Sequence, residues 1–384
     1  MQASQYFRKV DFFLKLALVV FFLAIIVTPE VIFQMSDRPG IPSVTEKRRL
    51  AIRPIFHVDS LEMFPKRYEQ YYNDNFSFRK YFIQLNSLFT AKTYGISAIP
   101  DVLIGKQGWL YYVSKTQGNS LEDYKGLIRV DKRSLELIRE NLERRTQSLA
   151  LKGIKFVVVV APDKQSIYPE YLPDNAQRKR RYPTRLDQII EYLNENTSVQ
   201  ILDVRNVLLE EKKAGPLPLY KKTDSHWNYL GGFVAYKEIM RSISFVPKKK
   251  SDFEWTHVNS GRGDLANMLA LNDQVTEENM INVKDLFESD LSFQNSEKDY
   301  GYKKKIEISV ASQKRKSTNT QKLLIFHDSF GEGLIKFLCN DFRETVAINT
   351  NLFSSSIIEK EKPDVVIFEV VERYAPSLAW GEME

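Results

Sequence analysis

The chain has 384 residues, 43% of them apolar and 12% aromatic, with a net charge of +6. That length exceeds the usual span of one domain and the apolar content suffices for a sizeable core, so one large domain plus an appendage is expected. The single cysteine, Cys339, excludes an intramolecular disulfide, and the fold must rest on burial alone.

The first element is a continuous apolar run from Leu16 to Val27, preceded by Arg8 and Lys9 and extended by Val10–Leu14 (interrupted by Asp11) and Val31–Phe33. A bilayer span needs about 20 mostly apolar residues, which this segment meets if it starts near Phe12 and Lys15 snorkels. No Ala-x-Ala-like cleavage site follows, and Pro29-Glu30 marks the exit, which favours an uncleaved signal anchor over a cleaved signal peptide. A buried core helix is the third reading, disfavoured by the terminal position and the missing polar face. Anchor or signal, the remainder crosses the membrane; the basic flank Arg38, Lys47, Arg48, Arg49 and Arg53 argues the other way.

Residues 34 to 60 carry Pro39-Gly40, Pro42 and Pro54 among charges and read as a linker. From Met63 to about Lys92, Phe64, Tyr68, Tyr72, Phe76, Phe82, Leu85 and Leu88 recur at near-helical spacing around a loop at Asn73-Asp74-Asn75, and this stripe reads as plain core. Val102–Tyr112, two apolar runs about a glycine-containing turn, reads as a hairpin. Asp131 caps a helix to about Lys152, with Gly153 as its stop.

An alternating strand and helix pattern follows. Phe156–Val160 is a strand apolar on both faces, followed by a helix near Arg185–Asn194, a strand Val199–Val204, a helix Tyr229–Ile243 and a buried strand Lys322–Phe326. A short helix Gly333–Cys339 and the strands Thr345–Ile348 and Val365–Val371 complete it. The pattern predicts an α/β fold, a three-layer sandwich with a mainly parallel sheet.

The positive charge is concentrated in Arg178–Arg181, Lys248–Lys250, Lys303–Lys305 and Lys314–Lys316. Such runs attract polyanions or are simply solvated loops. No nucleic-acid module accompanies them, so no nucleic-acid partner is expected.

Two segments carry chemistry: Thr223-Asp224-Ser225-His226-Trp227-Asn228 and His327-Asp328-Ser329-Phe330-Gly331. Ser329 sits at a strand-to-helix corner, where ligands of open α/β sheets bind and where helix-start amides face an oxyanion. A serine hydroxyl needs a base within reach, and His226 is the best placed of His57, His226, His257 and His327, because Asp224 two residues earlier lies on the same side of an extended segment. His327 is assigned a supporting role. Alone, an Asp-x-His or an Asp-Ser after a strand is as easily a surface pair or a helix cap. Neither a third metal ligand nor a phosphate-cradling loop is evident, so no metal and no cofactor are expected.

At these residues the sequence resembles the SGNH hydrolase-like domain of the AlgX/AlgJ family, which O-acetylates exported polysaccharides such as alginate. The resemblance extends over Asn73–Arg79, Gly105–Tyr111, Pro162-Asp163-Lys164 with Tyr168-Pro169, Asp224–Asn228, Gly263-Asp264-Leu265 and His327–Phe330. It implies that Asp224, His226 and Ser329 are the catalytic triad, in permuted order, and that the acetyl group comes from a membrane-bound O-acyltransferase partner and passes to a sugar hydroxyl. The implied organisation is an anchor over 1–33, a linker and helical segment over 34–95 and the SGNH hydrolase-like domain over 96–384, anchored in the cytoplasmic membrane with the catalytic domain periplasmic or extracellular. Trp227 stacks on a sugar ring or packs in the core, and Lys164 reaches the mouth of the site or forms a surface salt bridge. A carbohydrate esterase using the same triad and a non-catalytic scaffold that binds polymer are the alternatives.

Overall fold

Strands buried on both faces are apolar along most of their length, and the two longest such runs lie side by side in the sheet. In the computed structural model, Lys155–Ala161 and Val365–Val371 pair in parallel over their whole length, from Val365 opposite Lys155 to Val371 opposite Ala161. The structure describes residues 2–35, 50–76, 78–177, 182–258, 263–271, 280–283, 291–295, 307–313 and 320–382. Close contacts divide the chain into two units, Met1–Ile99 with Asn267–Leu271, and Pro100–Ala266 with Asn272–Glu384.

In the second unit the sheet runs Leu202–Asp203, Lys155–Ala161, Val365–Val371, Lys322–His327, Glu344–Asn349, Glu307–Gln313, Leu291–Asn295. The first five are mutually parallel, and the last two add an antiparallel edge. The fold is therefore α/β with a mainly parallel sheet. Strand alternation separates two apolar layers. Val159, Leu323, Ile325 and Ile367 face the helices Arg205–Ala214, Tyr229–Ser242 and Glu332–Leu338. Val158, Leu324, Phe326 and Phe368 face Lys132–Leu151, Arg185–Asn196 and Ser355–Glu361. Each fully buried Leu or Phe contributes about 1.5–3 kcal/mol.

Local signals set the helix ends. Asp131 accepts from the Ser134 amide at 2.9 Å, and Thr184 with Asp187 forms a capping box. The expected strand Val199–Val204 shortens to Leu202–Asp203, and the hairpin forms with Val102 opposite Tyr112. The strands Leu291–Asn295 and Glu307–Gln313 carry Ser, Gln and Glu among their apolar residues and so show no unbroken apolar run.

One strand residue breaks the apolar rule. Glu369, in the middle of Val365–Val371, is fully buried and accepts the Asp328 amide at 3.1 Å. Burial, and then the neighbouring Asp328 charge, push its carboxyl well above its ordinary range, so it holds its proton in the fold. An acid raised in this way stabilises the fold fully below its unfolded pKa of about 4.3, and that stability is lost as pH rises toward the folded value, by about 1.4 kcal/mol per pH unit. Glu369→Gln is expected to remove this slope, giving a flatter denaturant-measured stability profile above about pH 5; parallel profiles for parent and variant would contradict a neutral Glu369.

In the first unit, helix Gln2–Met35 contains Asp11–Pro29, 19 residues long and apolar enough to cross a membrane, with none of that stretch buried. Two further helices, Phe64–Asn75 and Arg79–Tyr94, carry the aromatic stripe. The stripe is not plain core: Phe82 is 57% and Leu85 56% exposed. The rings pack on one another instead, Phe76 stacking on Phe82 at 6.0 Å and Phe64 on Tyr68 at 5.9 Å. Asn73–Asn75 closes the first helix instead of forming a loop, and Asp74 and Asn75 bind the Ala51 amide and carbonyl. The basic runs Arg178–Arg181, Lys303–Lys305 and Lys314–Lys316 lie outside the described residues.

Candidate active site

Two helices bring the remote segments together. Asn228 caps Tyr229–Ser242, its Oδ1 accepting from the Leu230 and Gly231 amides at 2.9 and 3.1 Å, so His226 lies just ahead of that helix. Ser329 lies just ahead of Glu332–Leu338. The helices touch at glycines: a Cβ on Gly232 would lie 2.5 Å from the Gly333 carbonyl oxygen, and one on Gly333 would lie 2.7 Å from the Trp227 indole nitrogen. Backbone-to-backbone contact at this point sets the separation of His226 and Ser329.

That separation is a hydrogen bond. His226 Nε2 is 2.8 Å from Ser329 Oγ, across 103 residues of sequence, and His226 Nδ1 is 2.6 Å from Asp224 Oδ1. Asp224 is an acceptor, so Nδ1 carries the proton and Nε2 presents its lone pair to the serine hydroxyl. Burial opposes ionisation of Asp224, but the His226 hydrogen bond, helped by the Lys221 charge, outweighs it and holds the carboxyl well below the usual range. The carboxylate stays charged behind the imidazole, as a base-orienting group must. Asp224 to His226 is not the expected extended strand. The carboxylate turns back onto its own chain and takes the His226 amide at 2.9 Å along with the ring, an Asx-type bend.

Ser329 is exposed, on a turn that Asp328 builds. Asp328 Oδ1 accepts from the Phe330 amide at 2.8 Å, Oδ2 from the Val371 amide at 2.7 Å, and its carbonyl from the Gly331 amide at 3.1 Å. The helix-start amides expected to face an oxyanion are thereby partly committed. The Ser329 amide has no acceptor among the described residues and remains available for that task. His327 is buried and donates from Nδ1 to the Asp328 carbonyl at 2.6 Å, so it supports the turn.

Of the two readings of Trp227 packing holds, and both readings of Lys164 are corrected. Trp227 is 3% exposed and its indole N–H donates to the Phe330 carbonyl at 3.0 Å, edge-on to the Phe330 ring. No face is left for a sugar. Lys164, 2% exposed, neither reaches the mouth nor makes a surface salt bridge: its ammonium donates to the Leu110 carbonyl at 2.6 Å and the Lys222 carbonyl at 3.2 Å. It ties the hairpin to the segment that carries Asp224.

Asp264 was given no role from sequence. Its amide donates to Asp224 Oδ2 at 3.1 Å, and its carboxylate accepts from the Ser225 amide and hydroxyl, both at 2.7 Å. Its place in the Gly263-Asp264-Leu265 block was the available signal. Asp224, His226 and Asp264 offer three ligand atoms within 4.8 Å of one another, a third metal-capable group that the spacing alone did not reveal. Their atoms are engaged with one another, with Ser225 and with Ser329, an arrangement that suits a hydrogen-bonded support better than a metal centre. Asp264→Ala leaves the Ser225 amide unpaired, which costs about 1–3 kcal/mol, and is expected to lower acyl-transfer kcat/KM by about tenfold. Unchanged kcat/KM would show that the bend around Asp224 holds without it.

A hydroxyl hydrogen-bonded to an oriented imidazole at the carboxyl end of a parallel sheet has the parts of a serine acyl-transfer site on an α/β fold. Residues 102–292 match the family described as the SGNH hydrolase-like domain of acetyltransferase AlgX, and over that stretch the chain is AlgX/AlgJ-like. The matched stretch contains Asp224, His226 and Asp264; Ser329 lies beyond it and is tied to them by geometry. The chain is 25% identical over 187 residues to the probable alginate O-acetylase AlgJ of Pseudomonas fluorescens, covering 47% of this chain and 42% of that protein. It is 29% identical over 140 residues to the protein of the same description from Pseudomonas aeruginosa, covering 34% and 30%. The chain thus spans less than half the length of these curated relatives. Among solved structures, PatB1 of Bacillus cereus shares the fold at a TM-score of 0.50 and 19% identity, covering 73% of this chain and 98% of that one.

Proposed function

We propose that the chain is an O-acetyltransferase that moves acetyl groups onto hydroxyls of an exported or cell-envelope polysaccharide. Ser329 attacks the acyl donor while His226 takes its proton, and Asp224 holds the ring and stabilises the imidazolium. The Ser329 amide faces the oxyanion. The imidazolium returns the proton to the leaving group, and an acetyl ester remains on Ser329. A sugar hydroxyl then attacks that ester, gives its proton to His226 and displaces the serine, which is reprotonated. The observation that carries this reading is the unbroken chain from Asp224 Oδ1 through His226 to Ser329 Oγ. The names of the curated relatives support polysaccharide as acceptor.

In this reading Asp11–Pro29 anchors the protein in the cytoplasmic membrane, with the catalytic unit on the periplasmic or outer side. A membrane-bound O-acyltransferase partner supplies the acetyl group. Purified protein given an activated acetyl ester, with and without oligosaccharides, tests the reaction. Acetylated sugar supports transfer; free acetate alone would instead make the protein a carbohydrate esterase.

A further inference from the structure

The acetyl-transfer reading accounts for Asp224, His226 and Ser329, but a cluster beside them has no part in that chemistry. Arg373 follows the strand whose last residue, Val371, donates its amide to Asp328. It is buried, donates to Asp163, and its guanidinium lies 5.6 Å from the ring of Phe330, the neighbour of Ser329. The same guanidinium lies 5.2 Å from the ring of Tyr112 and 5.5 Å from that of Tyr374. Tyr374 donates its hydroxyl to Gln117 Oε1 at 2.6 Å. Burial raises the pKa of both phenols, and the Tyr112 hydroxyl also has a hydrogen bond with Ser114.

Packing alone would close such rings over a buried cation. Here Arg373 is covered while both tyrosines are half-buried and Gln117 is exposed. Two half-buried phenols and an exposed primary amide, gathered round a guanidinium that lies 5.6 Å from the ring of the residue after Ser329, match the make-up of a sugar ring, which has apolar C–H faces and a rim of hydroxyls. We infer that Tyr112, Tyr374 and Gln117 form the acceptor-binding rim of the Ser329 site and hold one sugar ring of the glycan for attack on the acyl-serine. The inference rests on the acetyl-transfer reading and deepens it by assigning the residues that recognise the acceptor. Arg373 positions both rings.

The test measures acetyl transfer by the full-length protein in detergent from 4-nitrophenyl acetate to a neutral glucan hexasaccharide and to a uronate hexasaccharide. Tyr112→Ala and Tyr374→Ala are each expected to raise the acceptor KM about tenfold, with kcat within about threefold of the parent. Tyr112→Phe and Tyr374→Phe, which keep the ring, are expected to restore most of the parent KM. Unchanged KM in both alanine variants overturns the inference while leaving transfer intact. A common fall in kcat and thermal midpoint with no rise in KM also overturns it, because the tyrosines would then only support Arg373. A parent that acetylates neither hexasaccharide, and releases acetate no faster than Ser329→Ala, sinks the transfer reading and this inference with it.

Discussion

Ser329→Ala is expected to lose acetyl transfer by roughly 10⁴-fold or more while folding as the parent does. The side chain is exposed, and its hydroxyl bonds only to the His226 ring among the described residues, so its removal costs the fold little. The chemistry has no substitute, because Ser225 Oγ, the other hydroxyl near the imidazole, faces Nδ1 at 3.3 Å and is held by Asp264. His226→Ala should fall by a comparable factor, and the double variant by no more than either single change, since the pair acts as one unit. Turnover with an acetyl donor and an oligosaccharide acceptor measures this, with circular dichroism to verify the fold. Full transfer in Ser329→Ala would leave the protein a scaffold whose partner does the chemistry.

Gly232→Ala is expected to lower kcat by about a hundredfold although the residue touches no reacting atom, because a displacement of about 1 Å in a catalytic group has an effect of that size. The added methyl would sit 2.5 Å from the Gly333 carbonyl oxygen, closer than any side chain tolerates, and backbone cannot swing aside as a side-chain tip can. The helices Tyr229–Ser242 and Glu332–Leu338 must separate, and each carries one half of the His226–Ser329 pair at its start. Overpacking of this kind also costs about 1–3 kcal/mol of stability. Stability by denaturant titration and kcat on the same preparation give both numbers. A variant that keeps the parent kcat would show that the helix contact does not set the active geometry.

The central sheet was legible because strands covered on both faces cannot hide polar residues, and Phe156–Val160, Lys322–Phe326 and Val365–Val371 announced themselves as unbroken apolar runs. Asp224, His226 and Ser329 were legible by spacing and by position at a strand end, although no local pattern states that segments 103 residues apart will meet. The glycines that allow the meeting were visible only as residues a helix tolerates. Lys164 was misplaced because residue type names the chemistry a side chain can do, and only the fold decides whether it points outward; for Trp227 the packing reading held and the stacking one did not. Both spend their polar hydrogens on backbone carbonyls. Glu369 stood in plain sight in Val-Val-Ile-Phe-Glu-Val-Val, and its meaning depended on Asp328 in the next strand's turn. The aromatic stripe of residues 64–88 has core periodicity, yet its rings stack on each other and leave Phe82 and Leu85 open.

In the proposed reaction Ser329 carries the acyl group between donor and acceptor. Intact-mass and peptide mass spectrometry after brief exposure to 4-nitrophenyl acetate without acceptor should find one acetyl group, on Ser329, discharged when oligosaccharide is added and absent from His226→Ala. An acetyl group on any other residue, or full transfer with Ser329 never modified, would contradict the account.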